Sequence, residues 1–328
     1  MRPFITLGDL IADLYLGIES FPVAPGQHQS VSALWVGPGG AGNAAVAAAR
    51  LGLAVQALGA VGEDWVGAQV LAHLRAEGVD VDAVARLAGE PTAVAVVLRA
   101  ERGEHVFLSY AGTRGLGELP AAWQPLLGAA GAVLVDGWTW RHDHPAVIAA
   151  GAQWAAAAGV PVLFDPGPLA DEADPAWLRA LLAAATVVLA TEAEADRLVE
   201  RLGLGTPASL APAPRTLILK RGADGCQVSG PAGAWACPGY PVTALDLTAA
   251  GDCFAAAVAW GLLHAWPWDV IGAVANAAGA AKVQKLGTAL AAPTRAEVGA
   301  VLQRFRPDLA GLVLDTPARS RRAPRCEG

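Results

Sequence analysis

The run Asp246-Leu-Thr-Ala-Ala-Gly-Asp252 sets small residues and two carboxylates immediately before the apolar stretch Cys253–Leu263. That stretch predicts a helix, which puts Ala249, Ala250 and Gly251 at its N-terminus. Backbone N–H groups there lack intrahelical partners and carry the positive end of the helix dipole, so they favour an incoming anion. A carboxylate beside an anion site is electrostatically awkward and calls for a reason. Taking the proton from a hydroxyl that attacks a phosphate is one, and Asp252 is the candidate base. A first-turn or capping acid is the plainer alternative. Against it stands a second glycine-rich segment upstream, Gly37-Pro-Gly-Gly-Ala-Gly-Asn43, which also opens a predicted helix, Asn43–Leu51.

That upstream segment satisfies the GxGxxG pattern of dinucleotide binding, and the acidic pair Glu63-Asp64 follows about twenty residues later. A nicotinamide-dependent oxidoreductase is therefore the rival reading. Three features weaken it. The segment does not follow the first strand, Pro38 supplies no N–H for a pyrophosphate, and Asp246–Asp252 is left without a purpose. A Walker A reading fails because Asn43 stands where the lysine belongs. What remains is a turn whose N–H groups and Asn43 amide suit a polyhydroxylated ligand, or glycines that permit close packing.

The elements that must position these residues follow a strand–helix rhythm. Strands are expected at Phe4–Leu7, Ala54–Val61, Ala132–Asp136, Val160–Asp165, Thr186–Ala190 and Thr216–Lys220. Helices are expected at Asn43–Leu51, Val66–Glu77, Pro145–Ala158, Pro175–Ala184 and Glu192–Leu202. Such alternation builds an α/β, doubly wound, mostly parallel sheet with helices on both faces, and ligands gather beyond the strands' carboxyl ends. Leu14–Val36 and Thr92–Tyr110 read as β segments without helices, forming a small sheet that covers the site. A lid suits phosphoryl transfer because it keeps water from the nucleotide. From Gly251 onward the pattern is helical: Asp252–Leu263, Trp268–Lys285 and Arg295–Phe305.

The whole chain sets limits. Its 328 residues, 54% hydrophobic, describe a globular protein with ample core. With a net charge of −7 and no basic stripe in the body, nucleic-acid binding lacks electrostatic support. Arg319, Arg321, Arg322 and Arg325 cluster in the final segment, so residues 313–328 read as a basic, disordered tail. Cys226, Cys237, Cys253 and Cys326 show no metal spacing, and a reducing cytoplasm fits them. The uncharged stretch His144–Phe164 is long enough for a bilayer, but Gly159-Val-Pro161 splits it into a helix and a strand, so no membrane association is expected.

Taken together, these residues resemble the PfkB, or ribokinase-like, family of carbohydrate and nucleoside kinases, from Gly8-Asp9 to about Arg304. Gly39-Gly-Ala-Gly-Asn43, Gly59-Ala-Val-Gly-Glu-Asp64 with Gly67, Glu77-Gly-Val79 and Asp246–Phe254 carry the resemblance. It implies a ribokinase-like three-layer α/β/α kinase domain over residues 1–312, with a small β-lid from about 14–36 and 92–112. It implies that Asp252 takes the proton of a substrate hydroxyl as that oxygen attacks the γ-phosphate of ATP. The backbone of Ala249, Ala250 and Gly251 would form the anion hole. Asp13, Gly39, Gly40 and Asn43 match sugar-binding positions. Lys220, Gly222 and Gly225 match a nucleotide loop, and Asn276 matches a region bordering the adenine. Asp246 and Thr248, with backbone around Lys285–Gly287, match a site where some members hold a monovalent cation such as K⁺. A homodimer through the lid is the partner expected beside a small sugar or nucleoside.

Three departures stand out. The family's Asn-x-x-Glu motif, tied to Mg²⁺ and phosphate, reads Thr191-Glu-Ala-Glu194 here. Glu194 keeps the acid, expected to act through water, while Thr191 offers a hydroxyl; Asp165-Pro-Gly can share that role. Where ribose-specific members carry an acid after the fourth strand, this chain has Trp138, which can stack on a sugar or a base or belong to the core. Arg114, beyond the lid strand, is a candidate for a carboxylate or phosphate, though a solvated arginine explains it as well. The acceptor is left open among sugars, sugar acids and nucleosides. A non-catalytic sugar-binding descendant of the fold stands as a further alternative.

Overall fold

The computed structural model describes residues 2–26, 28–100, 104–112, 115–140 and 145–316. The chain begins with β1 (Phe4–Leu7), β2 (Leu10–Ile18) and β3 (Ala33–Gly40), then α1 (Ala41–Arg50), β4 (Val55–Leu58), β5 (Ala60–Gly62) and α2 (Trp65–Ala76). Next come β6 (Val79–Asp80), β7 (Ala85–Leu87), β8 (Val94–Ala100), β9 (His105–Tyr110), α3 (Trp123–Ala129), β10 (Ala132–Asp136) and α4 (Pro145–Ala157). The second half holds β11 (Val162–Asp165), α5 (Pro175–Ala184), β12 (Val187–Thr191), α6 (Glu192–Leu202), β13 (Thr216–Lys220), β14 (Gly225–Gly230) and β15 (Gly233–Pro238). It closes with α7 (Ala250–Leu263), α8 (Trp268–Val283), α9 (Arg295–Phe305) and α10 (Pro307–Asp315).

Nine strands form the main sheet in the order β15-β14-β13-β12-β11-β10-β1-β4-β6, parallel except for the β13-β14-β15 edge. Alternate residues of its strands point to opposite faces and both faces are buried, which is why the strands read as unbroken apolar runs. Phe4, Leu134 and Leu163 pack in a core beneath α1, α7 and α8. Ile5, Val133 and Phe164 face the other way, toward α4 and α5. Helix α4 and strand β11 divide the uncharged stretch as expected, and no helix among the described residues is long and apolar enough to cross a membrane.

The expected lid is present as a separate four-stranded sheet, β3-β2-β8-β9. Its bounds differ from those expected. Strand β2 begins at Leu10 and β3 runs to Gly40, pairing Asp13 with Gly37 and Leu10 with Gly40. Gly37–Gly40 is therefore strand rather than turn; glycines that could support a turn here let two backbones lie close. The expected strand Ala54–Val61 is broken at Gly59 into β4 and β5, and β5 pairs with β7 outside the main sheet. The chain also stays ordered past residue 312. Helix α10 runs to Asp315 with Val313 fully buried, and the Arg295 guanidinium donates to the Thr316 carbonyl. The remainder of the basic tail, like Arg114, lies outside the described residues.

Candidate active site

Two helix N-termini meet beside the lid. Helix α1 starts after Gly40, whose φ of 56° suits glycine, and no side chain caps it. Helix α7 starts after Ala249, which holds a left-handed conformation at φ 60°, and it too lacks a side-chain cap. Uncapped N–H groups at both ends leave this corner electropositive. Asp252 sits in the first turn of α7, partly buried.

Burial is the main cause that raises the Asp252 carboxyl to about 7, and the nearby Asp165 charge adds to it. Lys220, a hydrogen bond from Asn43 and Lys282 pull the other way. A carboxylate of that pKa is poised as a base near neutral pH. Asn43, buried in the first turn of α1, thus stands beside Asp252, while its own Oδ1 has no hydrogen-bond partner. An orphaned buried acceptor of this kind suits a hydroxyl donor from a ligand.

Asp13 comes from lid strand β2 and is 5% exposed. Burial raises its carboxyl to about 7 as well; a hydrogen bond from Thr288 opposes the rise and the Asp252 charge reinforces it. The carboxylate lies over Gly39, where an added Cβ would fall 2.2 Å from Asp13 Oδ1. An added Cβ at Gly40 would meet the Asp9 carbonyl at 2.5 Å. Two raised carboxyls, Asn43 and bare glycine backbone therefore cluster at one corner. Thr288 escaped the sequence reading, because nothing local marks a threonine as the partner of a residue 275 positions earlier.

On the far side of Asp252 lies a charged cluster. Lys220, at the end of β13, pairs with Asp165 Oδ2 at 2.6 Å and approaches Glu194 Oε2 at 3.7 Å. Burial works against the Lys220 charge, but Asp165 and Glu194 outweigh it and hold its pKa above the usual lysine value. A Cβ added at Gly251 would stand 3.7 Å from Lys220 Nζ, so this ammonium borders the Ala249–Gly251 backbone. Thr191 caps α6 in a full capping box: its hydroxyl accepts from the Glu194 N–H, and Glu194 Oε2 accepts from the Thr191 N–H at 2.7 Å.

Other expected residues have structural partners of their own. Asn276 is buried and donates to the Cys237 and Pro238 carbonyls at 2.9 and 3.1 Å, bracing β15. At Gly225 a Cβ would strike the Cys237 carbonyl at 2.1 Å, so this glycine serves hairpin packing; Gly222 turns at φ 56° with open space around it. Trp138 is 43% exposed and stands beside Gly167. Asp246 uses Oδ1 for the Thr248 N–H and Oδ2 for the Gly287 N–H, at 2.9 and 2.8 Å. Asp64 caps α2 and also accepts from Thr92, a structural role that removes it as a ribose-binding acid.

A family model described as pfkB family carbohydrate kinase matches residues 1–295. The chain belongs to the PfkB family of carbohydrate kinases. Among PfkB-related proteins, the ATP-dependent ribose-1-phosphate kinase of Halopiger xanaduensis is 33% identical over 314 residues, spanning 92% of this chain and 98% of that one. The ribokinase of Bacillus subtilis is 28% identical over 304 residues, spanning 92% and 100%. The structure of Arabidopsis thaliana ribokinase complexed with ribose and ATP matches with a TM-score of 0.79 at 25% identity, covering 92% of this chain and 99% of that one. The main sheet with its four-stranded lid is thus the ribokinase-like fold, and the protein is a carbohydrate kinase. PfkB membership and the strand conformation of Gly37–Gly40 together set the nicotinamide reading aside.

Proposed function

We propose that this PfkB kinase transfers the γ-phosphoryl group of ATP to a hydroxyl of a ribosyl acceptor: ribose, a ribose phosphate or a nucleoside. The carrying observation is Asp252, a carboxylate of pKa about 7 at an uncapped helix N-terminus, sharing its pocket with Asp13 and Asn43. Asn43 orients the Asp252 carboxylate, which takes the acceptor proton as the oxygen attacks phosphorus. The N–H groups of Ala249, Ala250 and Gly251, with Lys220 alongside, stabilise charge on the transferring phosphoryl group. Asp13, Gly39, Gly40 and Asn43 hold the acceptor, with Trp138 and Arg114 as further candidates. Lys220, Gly222 and Thr191 are the candidates for the nucleotide side, and Gly225 and Asn276 would shape it through the β14-β15 hairpin that they brace. Residues 1–312 make up most of this kinase unit.

Among the described residues no group of three His, Cys, Asp or Glu forms a metal cage. Glu194 and Asp165 with Thr191 suit a Mg²⁺ held chiefly by phosphate oxygens and water, since Mg²⁺ commonly takes one or two carboxylates plus substrate phosphates. When bound, that ion would neutralise phosphate charge. The ribosyl preference draws on the activities of the relatives, and a screen of acceptor-dependent ADP release tests it. Ribose, ribose 1-phosphate or inosine should exceed fructose and 2-keto-3-deoxygluconate in kcat/KM by about 100-fold, the cost of leaving one buried polar group unsatisfied. A sugar acid as the best acceptor overturns the ribosyl choice. No acceptor-dependent ADP at all would revive the non-catalytic reading.

The lid supports a homodimer. Every residue of β9 is exposed, including Val106, Phe107, Leu108 and Tyr110. An apolar sheet edge of this kind gains by covering itself with a second copy. Sedimentation equilibrium at micromolar protein should return twice the chain mass, and Phe107→Glu with Leu108→Lys should return one; a wild-type monomer removes the dimer.

A further inference from the structure

Lys282 is a fully buried cation for which phosphoryl transfer has so far found no use. It lies in the last turn of α8 with 0% exposure. Among the described residues its Nζ donates to two backbone carbonyls, those of Asp246 at 3.4 Å and Lys285 at 3.2 Å. No carboxylate among the described residues is within ion-pair distance of it. Taking an ammonium out of water costs several kcal/mol, and an apolar residue of similar size at such a site is often neutral or stabilising. A lysine kept here therefore calls for a job.

Its surroundings indicate which one. The Leu245 and Asp246 N–H groups both donate to the Val283 carbonyl, at 2.7 and 3.1 Å. Asp246 in turn spends both carboxylate oxygens on Thr248 and Gly287. The end of α8 and the loop entering Ala249–Gly251 thus form one hydrogen-bonded block, with the Lys282 ammonium inside it. The C-terminal end of α8 also favours positive charge. Burial lowers the Lys282 pKa and the neighbouring Lys285 charge adds to that, while Asp246, then Cys253 and more weakly Asp252 work to keep it charged. The same ammonium is one of the charges that restrain the rise at Asp252.

This arrangement does not fit the exchangeable monovalent cation expected at Asp246, Thr248 and the backbone around 285–287. Both carboxylate oxygens of Asp246 are engaged, and two carbonyls of the same region already face an ammonium. A second cation would be driven off by the first, since like charges a few ångströms apart in a partly buried site repel strongly. We infer that Lys282 is a built-in cation, holding the anion-hole loop against α8 and supplying the positive charge of a dissolved monovalent ion, so that the enzyme needs no K⁺. It acts through the 246–249 loop and so is a positioning residue. Only the kinetic arm of its test rests on the phosphoryl-transfer reading.

The test compares KCl with choline chloride at equal ionic strength. Wild-type protein should melt at the same temperature in both, and its kcat should agree within about twofold. Lys282→Met should melt higher in KCl than in choline chloride. In choline chloride it should lose about tenfold or more in kcat with smaller changes in both KM values, and K⁺ or ammonium should restore much of the loss. A wild-type enzyme that melts several degrees higher in KCl, or gains about tenfold in kcat from K⁺, overturns the inference. So does a Lys282→Met variant with wild-type kcat in choline chloride. If that variant fails to fold, the wild-type comparison decides alone. Should no acceptor be phosphorylated in either salt, the kinase reading falls while the melting comparison still decides the cation.

Discussion

Asp252→Asn is expected to lower kcat by about 10²- to 10⁴-fold, the range for loss of a positioned general base, with ATP affinity nearly unchanged. The amide keeps the shape of the side chain but cannot accept the acceptor's proton. In the wild type, kcat/KM should rise with pH through about 7, where burial has placed the Asp252 carboxyl. The variant's residual rate should lack that limb. The same substitution carries a stability signature of definite sign. The folded pKa of Asp252 lies above the ordinary aspartate value of 3.8, so the native state holds the proton more tightly than the unfolded chain. That contribution is complete below the unfolded pKa and is lost as pH rises through about 7. At pH 8 the wild type must bury an ionised carboxylate and the variant need not, so Asp252→Asn should melt higher by an amount equivalent to about 1–3 kcal/mol. The gap should close toward pH 4. Thermal melts across pH, beside steady-state kinetics, check both halves; near-normal kcat would remove Asp252 as the base.

Asp13→Ala should raise the acceptor KM by about 10- to 100-fold, the value of a charged hydrogen bond, while the ATP KM changes little. The carboxylate sits in lid strand β2, nearly sealed from solvent, and it is steadied by Thr288 and seated over Gly39. A second, independent signature comes from its electrostatic link to Asp252. Interacting carboxyls raise one another, so deleting Asp13 should move the kcat/KM limb to lower pH. Equal increases in both KM values would argue against an acceptor-binding role, and an unmoved pH limb would argue against the coupling.

Much of this was legible in one dimension. Phe4–Leu7, Ala132–Asp136 and Thr216–Lys220 form strands with the expected limits because buried parallel strands are apolar on both faces. Glu192–Leu202 was equally plain: its apolar residues recur at helical spacing behind a capping box. The β14-β15 hairpin went unseen because Gly225, Gly230, Gly233 and Pro238 read as loop residues, whereas here they permit close backbone contact at a sheet edge. The lid's limits moved for the same reason at Gly37, Gly39 and Gly40. In the site, Asp252, Asp13 and Asn43 were marked by local pattern and resemblance. The Lys220–Asp165 pair was not, because 55 residues separate the partners and only the parallel register of β11, β12 and β13 brings them together. Lys282 carries no local mark, since nothing in an alanine-rich helix tells which side faces inward.

Arg99 of lid strand β8 reaches across to the Leu245 carbonyl at 2.9 Å, one residue before Asp246. The lid sheet is therefore tied directly to the segment that enters the proposed phosphate cradle. When this lineage explores new acceptors by altering its lid, each step also tugs on the machinery of transfer, so selectivity and turnover should diversify in concert rather than as separable traits.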